Sequence, residues 1–357
     1  MLDVNQRPLM AYWEVTRACE LSCRHCRAEA NPSRHPNELT MDEGIKLLDD
    51  MTGFGSPLPH LVFTGGDPLN RPDLWDLIEA ARSRGFITAI TPSGTPKLNA
   101  GIVKQFATAG IWMMALSIDG SCAARHDGIR MIDGSFARTV DAAGWARAAG
   151  LPLQVNTLIC EQTADDLPSI YRLIQNLGAA RWSLFFLIQV GRGKALAEVT
   201  PERSEQIMEW VLARADEGRM DIKTTEAPHY RRMALQHRED SGDEPVRSVR
   251  NGFGIRDGSG ILFVSHTGDV YPAGFLPVNS GNVRDGNIVE IYRNSRTFRQ
   301  LRDPALLKGK CGRCEYRRIC GGSRARAYAH TGDMLQSDPL CPYQPQRIHA
   351  SQPIMVG

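Results

Sequence analysis

Cys19, Cys23 and Cys26 form a Cys-x3-Cys-x2-Cys run just after the apolar stretch Pro8–Val15. Three thiolates on one short loop can hold three irons of a cubane iron–sulfur cluster. The fourth iron is then left without a protein ligand, open to a small molecule that can take an electron. A structural metal site would close that position. The other reading is a zinc loop closed by His25, but His25 lies between two of the cysteines and is badly placed to complete a tetrahedron with both. A second group, Cys311, Cys314 and Cys320, is spaced Cys-x2-Cys-x5-Cys, with Cys341 further on. Four thiols make a closed site, and spacing alone allows a zinc ribbon. Cys122 and Cys160 remain. Each follows an expected strand end, where a thiol either reaches substrate or is a small buried residue.

The 357 residues carry 42 basic and 40 acidic side chains, so the chain has no polyanion-binding character and no nucleic-acid partner is expected. No apolar run approaches the roughly 18 residues of a membrane helix. The first residues, Met1–Pro8, lack the charged start and apolar stretch of a signal peptide. Nine cysteines in clustered spacings without an export signal favour metal binding over disulfides, and a cytoplasmic protein is expected.

The elements that must position these thiols alternate regularly. Apolar strand runs are expected at 8–15, 61–63, 86–90, 112–118, 153–158 and 182–188. Helical spacing follows each. The first helix opens on the capping box Thr40–Glu43, and the last on Thr200-Pro201. Ser135 and Thr163 are candidate caps for two others. Such repeating units imply parallel strands joined by right-handed crossovers, either an open doubly wound sheet or a barrel. The cysteine loop lies at the C-terminal end of the first strand, where ligand-binding loops gather in such folds. Residues 236–250 are polar and read as a linker. A hairpin is expected after it, from Ile261–Val264 through a turn at His266–Asp269 to Val270-Tyr271.

The loop Cys19–Cys26 resembles the signature of the radical S-adenosylmethionine (radical SAM) superfamily, Cys-x3-Cys-x-aromatic-Cys, with His25 in the aromatic position. The resemblance decides for a partial (β/α)6 TIM-like barrel over residues 1–235. It implies that Cys19, Cys23 and Cys26 hold a [4Fe-4S] cluster whose open iron chelates SAM. An electron from that cluster breaks SAM to a 5′-deoxyadenosyl radical that abstracts hydrogen. Gly65-Gly66-Asp67-Pro68 resembles the family's Gly-Gly-Glu-Pro motif, with Asp replacing Glu, and implies a site for the SAM amino group. Ser93, Ser117 and Asp119 fall where the family meets SAM, with Asp119 at the ribose; Asn156 on the fifth strand is a further SAM candidate, and Arg130 is a candidate for the SAM carboxylate because arginine suits bidentate recognition. For Ser93 the alternative is an ordinary turn, for Asp119 a loop cap, and for Arg130 a surface arginine.

Residues 251–357 resemble the SPASM/twitch extension of the same superfamily, which implies an auxiliary [4Fe-4S] cluster on Cys311, Cys314, Cys320 and Cys341. Full SPASM domains have further cysteines near the positions of Ala273 and of Ser323 or Arg324. Their absence implies one auxiliary cluster instead of two. The segment Cys320–Tyr328 with Thr331–Asp333 and Asp338–Cys341 looks most like enzymes of alternative haem and haem d1 synthesis, which act on tetrapyrrole side chains. Peptide-modifying relatives share much of it. Only a dozen residues precede the end of the first strand, which weakens the peptide reading. Arg192, Arg231, Arg232, Arg324 and Arg326 are expected near the open side of the barrel, where arginines suit a polycarboxylate. Cys122 and Arg192 are the catalytic candidates. A flavodoxin or ferredoxin is the expected reductant. The reading from another class is an iron–sulfur electron carrier or redox sensor. It leaves Gly65–Pro68 and Ser117-x-Asp119 at consecutive strand ends unexplained.

Overall fold

The computed structural model describes residues 3–241 and 255–346. Seven parallel strands follow one another in order: β1 Met10–Thr16, β2 His60–Gly65, β3 Thr88–Ile90, β4 Met113–Ser117, β5 Leu153–Ile159, β6 Arg181–Phe186 and β7 Asp221–Thr225. Side chains alternate across each strand. Ala11, Trp13 and Val15 of β1, and Trp182, Leu184 and Phe186 of β6, bury against the helices. Tyr12, Ser117, Asn156 and Phe185 point to the other face and stay partly exposed, which leaves an accessible interior.

The helix layer follows the apolar periodicity. In α1 (Met41–Thr52), Thr40 accepts from the Glu43 amide while Glu43 accepts from the Thr40 amide, completing the capping box. Leu47, Leu48 and Met51 pack inward, as do Leu74, Leu77, Ile78 and Ala81 of α2 (Leu74–Ser83). The other two expected caps act differently. Ser135 is the first residue of α5 (Ser135–Ala148), and the Asp127 carboxylate binds the Gly134 and Phe136 amides instead. Thr163 turns its hydroxyl back onto the Leu158 carbonyl.

Two elements and one placement are not legible in the sequence. Strand β7, Asp-Ile-Lys-Thr-Thr, has one apolar residue because it is an edge that buries only Ile222 in the core. The helix α4 (Ala123–Arg130) buries only His126 and Ile129, too little for a periodic signal. Third, β8 (Ile261–Val264) adds to the barrel's sheet, parallel to β1, with Met10 opposite Ile261 and Trp13 opposite Val264. Its expected hairpin partner β9 (Val270–Tyr271) is present and antiparallel. The sheet order is therefore β7-β6-β5-β4-β3-β2-β1-β8-β9, and it crosses the boundary expected at 236–250. Of that expected linker, residues 236–241 complete a helix, Tyr230–Ser241, and 242–250 lie outside the described residues.

The sheet curls into a partial barrel. Phe185 on β6 and Phe275, just past β9, have ring centroids 6.2 Å apart. Across a flat sheet these strands would lie about 34 Å apart, at roughly 4.8 Å per step. Among the described residues no helix is long and apolar enough to cross a membrane.

Because β8 covers β1, the later residues complete the barrel wall. A chain cut between residues 242 and 254 exposes the edge of β1 and is expected to aggregate, as an uncovered edge strand does. The full chain should give one cooperative transition. Size-exclusion chromatography and thermal unfolding of the two chains check this.

Candidate active site

The parallel register of β1 to β8 brings their C-terminal ends to one side, where residues 17–31 form the cysteine loop. That loop has almost no regular structure, so its shape comes from its neighbours. Gly65 and Gly66 lie against its base. A Cβ on Gly65 would fall 2.3 Å from the Thr16 carbonyl oxygen, and one on Gly66 2.5 Å from those of Arg17 and Ala18. Only glycine permits this approach. Asp67 is fully buried and braces the next loop, accepting from the Leu69 and Ser93 amides and the Thr95 hydroxyl. Ser93 donates to the Gly66 carbonyl and lies 3.7 Å from Cys19 Sγ. The Asp-for-Glu replacement thus leaves a carboxylate that ties β2 to β3.

The loop after β6 closes over the other side. Gly191 has φ +52, and a Cβ there would meet the Cys26 and Arg27 carbonyl oxygens at 2.6 Å. Arg192 donates from its amide to Cys26 O, from Nε to Cys23 O at 2.9 Å and from Nη1 to Ala30 O at 2.8 Å. Arg192, one of the catalytic candidates, thus clamps the cysteine loop through three of its carbonyls.

Amides also reach the sulfurs: Leu21 N to Cys19 Sγ at 3.4 Å and Ala30 N to Cys26 Sγ at 3.5 Å. Such donors favour thiolate. Burial opposes them, and pushes the free Cys19 thiol up to about 11. Arg130 Nη1 lies 3.7 Å from Cys23 Sγ, and its Nη2 is 2.7 Å from Asp119 Oδ2. His25 Nε2 stands 3.9 Å from the same oxygen. Burial pushes the Asp119 carboxyl up, but Arg130, His25 and His126 together bring it below the usual range. Burial pushes His25 down to about 4, so its ring is neutral. Asp119 Oδ1 accepts from the Leu158 amide at 2.8 Å, and the residue is 2% exposed. Its Oδ2 is buried and accepts no hydrogen bond, with Arg130 and His25 as its neighbours. The Nε of Arg130 and Nδ1 of His25 are buried without hydrogen-bond partners. Three thiols beside such unpaired donors suit a polar, charged cofactor. Ser117 and Asn156 pair across β4 and β5 on the interior face.

Residues 13–174 match the model of the Radical SAM superfamily. The chain is 38% identical over 350 residues to the AdoMet-dependent heme synthase of Methanosarcina barkeri, covering 97% of this chain and 99% of that one. The chain belongs to the radical SAM superfamily. It is an enzyme of that class, which implies SAM and a [4Fe-4S] cluster. The AdoMet-dependent heme synthase of Oleidesulfovibrio alaskensis is 40% identical, over 95% of this chain and 88% of its own. The PqqA peptide cyclase of Bradyrhizobium diazoefficiens is 27% identical over 95% and 87%. Among solved structures, Streptococcus suis SuiB bound to S-adenosylmethionine superposes with a TM-score of 0.74 at 16% identity, over 95% of this chain and 78% of that one. That likeness supports the partial barrel.

The remaining expected residues of this radical SAM chain divide sharply. Cys122 is exposed at the start of α4. Cys160 is fully buried among Ile129, Leu158, Leu187 and Leu196, beside the Thr163 hydroxyl, and burial pushes its thiol up. The arginines expected to meet a polycarboxylate are spoken for. Arg324 and Arg326 are completely buried. Arg324 donates to the Gly322, Met334 and Gln336 carbonyls, and Arg326 to those of Glu226, Phe186 and Leu187. Arg231 donates to Ile319 and Ile255 carbonyls, and Arg232 pairs with Glu205. Sequence spacing could not show this, because most of the partners are backbone carbonyls or a carboxylate brought in by the fold.

Cys311, Cys314, Cys320 and Cys341 line one cavity with about 380 Å3 of empty space, its open mouth included. Among the described residues no three His, Cys, Asp or Glu side chains converge on a single ion's position. The four thiols line this cavity together with Arg232, Lys310 and Tyr343. Asp338 N donates to Cys311 Sγ and Gly322 N to Cys320 Sγ, both at 3.4 Å. Where full SPASM domains carry more cysteines, Ala273 packs with Ile188, Leu276, Leu301 and Ala325, and Ser323 caps the helix Arg324–Thr331.

Sequence reasoning missed a buried network beside the first site. Glu14 pairs with Arg27 at 3.0 Å and His266 at 2.6 Å, and Arg27 stacks 4.3 Å over Phe263. No spacing links residues so far apart; alternation along β1 is the one available signal.

Replacing Arg130 with alanine leaves Asp119 buried and uncompensated. Breaking such a pair is expected to cost about 3–5 kcal/mol of stability. Asp119→Asn/Arg130→Met should recover part of it. Urea denaturation of the three variants measures the effect.

Proposed function

We propose that this enzyme directs the SAM-derived radical to a carboxylate-bearing side chain of a tetrapyrrole. The observation that carries this is the 38% identity to a heme synthase along nearly the full length of both chains. The match spans the second cysteine set as well as the first, so it concerns more than the shared radical-generating site. The peptide cyclase matches over a similar length at 27%.

In this reading Cys19, Cys23 and Cys26 hold the first cluster, which when bound supplies the electron that cleaves SAM. Gly65 and Gly66 bring their backbone to the SAM amino group. Arg130, fixed by Asp119, offers its free Nε to the carboxylate. His25, Ser93, Ser117 and Asn156 line the rest of the SAM site, and Asp67 holds Ser93 in place. Arg192 keeps the cysteine loop from opening. The part from residue 251 onward holds an auxiliary [4Fe-4S] cluster on Cys311, Cys314, Cys320 and Cys341. A flavodoxin or ferredoxin delivers electrons in the cytoplasm.

Reconstituted anaerobic protein is expected to contain about eight irons and eight sulfides per chain. One stoichiometric zinc with about four irons would make the second site a zinc ribbon. Under strong reductant it should convert SAM to 5′-deoxyadenosine and methionine. Alanine at Cys19, Cys23 and Cys26 should abolish this and leave the second site's metal in place. No 5′-deoxyadenosine from the wild-type protein would contradict the assignment of these residues.

The substrate is read by incubating the enzyme with deuterated candidates and following deuterium into 5′-deoxyadenosine. Transfer from a side chain of a coproporphyrin- or siroheme-type compound is expected. Transfer only from a peptide would replace the tetrapyrrole reading.

A further inference from the structure

The register of the sheet carries one more cation into the barrel. Lys223 on β7 lies opposite Ser183 on β6, Ser183 opposite Asn156 on β5, and Asn156 opposite Ser117 on β4. Its neighbour Ile222 is buried in the helix-side core. Alternation along the strand therefore turns Lys223 inward, onto the same face as Ser117 and Asn156. At roughly 4.8 Å per strand its backbone stands about 10 Å from that of Asn156.

Other cations of this interior already hold carboxylates: Arg27 holds Glu14, Arg130 holds Asp119 and Arg181 holds Asp221. Among the described residues, Lys223 has no carboxylate within ion-pair distance. The charge that acts on it is the like charge of Arg181, and burial beside that group pushes its ammonium down to about 8. A half-buried ammonium facing an accessible interior, with only a cation for company, is stabilised by an anion entering from outside. The five arginines first expected in this role are occupied by protein partners.

We propose that Lys223 binds a carboxylate of the substrate, anchoring it inside the barrel while another part of the same molecule lies against SAM. The proposal rests on the tetrapyrrole reading, since it needs a substrate with carboxylates spread over such a distance. It makes Lys223 a specificity-determining residue. A single charged contact recognises one edge of the substrate and leaves the reacting side chain free.

The test uses the anaerobic holoenzyme with SAM, titrated with iron coproporphyrin III and with its tetramethyl ester, followed by absorbance. Wild type should prefer the tetra-acid. Lys223→Met should weaken the tetra-acid on the order of ten- to a hundredfold, as expected for losing a charged hydrogen bond. The ester should bind both proteins alike, and Lys223→Arg should retain most of the preference. A variant that had merely lost its fold would lose both ligands. Equal tetra-acid affinity in wild type and Lys223→Met would overturn the role of Lys223 and leave the tetrapyrrole reading intact. Failure of wild type to bind the tetra-acid would overturn that reading, and this inference with it.

Discussion

The cysteine loop has almost no regular structure of its own, so its shape depends on what packs against it. Here the stiffness comes from the parallel sheet. The C-terminal ends of the parallel strands arrive on one side, and several deliver a clamp: Gly65 and Gly66 from β2, Ser93 after β3 and Arg192 after β6, with Asp119 after β4 held by the Leu158 amide of β5 and facing His25 of the loop. The glycines act by having no side chain, because any Cβ would meet carbonyl oxygens below 3 Å. The arginine acts by gathering the Cys23 and Ala30 carbonyls with one planar group. Loosening any clamp lets the thiols drift, and the geometry of an open site tolerates little drift.

Burial of charge follows the same economy. Among the described residues, the buried guanidinium groups of Arg71, Arg130, Arg324 and Arg326 are each answered by a carboxylate or by several carbonyls, as desolvation requires. Arg326 ties the helix Arg324–Thr331 to the Phe186 and Leu187 carbonyls at the end of β6. Arg284 reaches from the later part of the chain to Glu43 in the first capping box, at 2.6 Å. With β8 paired to β1, these contacts make the cysteine-rich part a wall of the barrel as much as an appendage. The second thiol cavity is thereby held at a set position relative to the first. Against this background Lys223 stands apart, because its charge is answered by nothing in the described chain.

The sequence by itself determined the strand–helix alternation, the interval of the three thiols and the closed set of four. Each is local: a period of two or of 3.6, or a spacing within a few residues. The core positions Leu47, Leu74, Ile170 and Trp182 follow from that periodicity. The edge strand β7, the short helix α4 and the insertion of β8 beside β1 did not, since each depends on a distant partner and buries little of its own surface. What only the tertiary structure decided is which charges are free. Arg192, Arg231, Arg232, Arg324 and Arg326 looked like a polycarboxylate site in the linear chain, yet folding spends them on carbonyls and acids far away in sequence. Lys223 lies in a segment whose sequence carries no strand signal, and the strand register turns it into the barrel. Hydrogen-bond saturation of a long side chain is settled by three-dimensional neighbours, which no local pattern encodes.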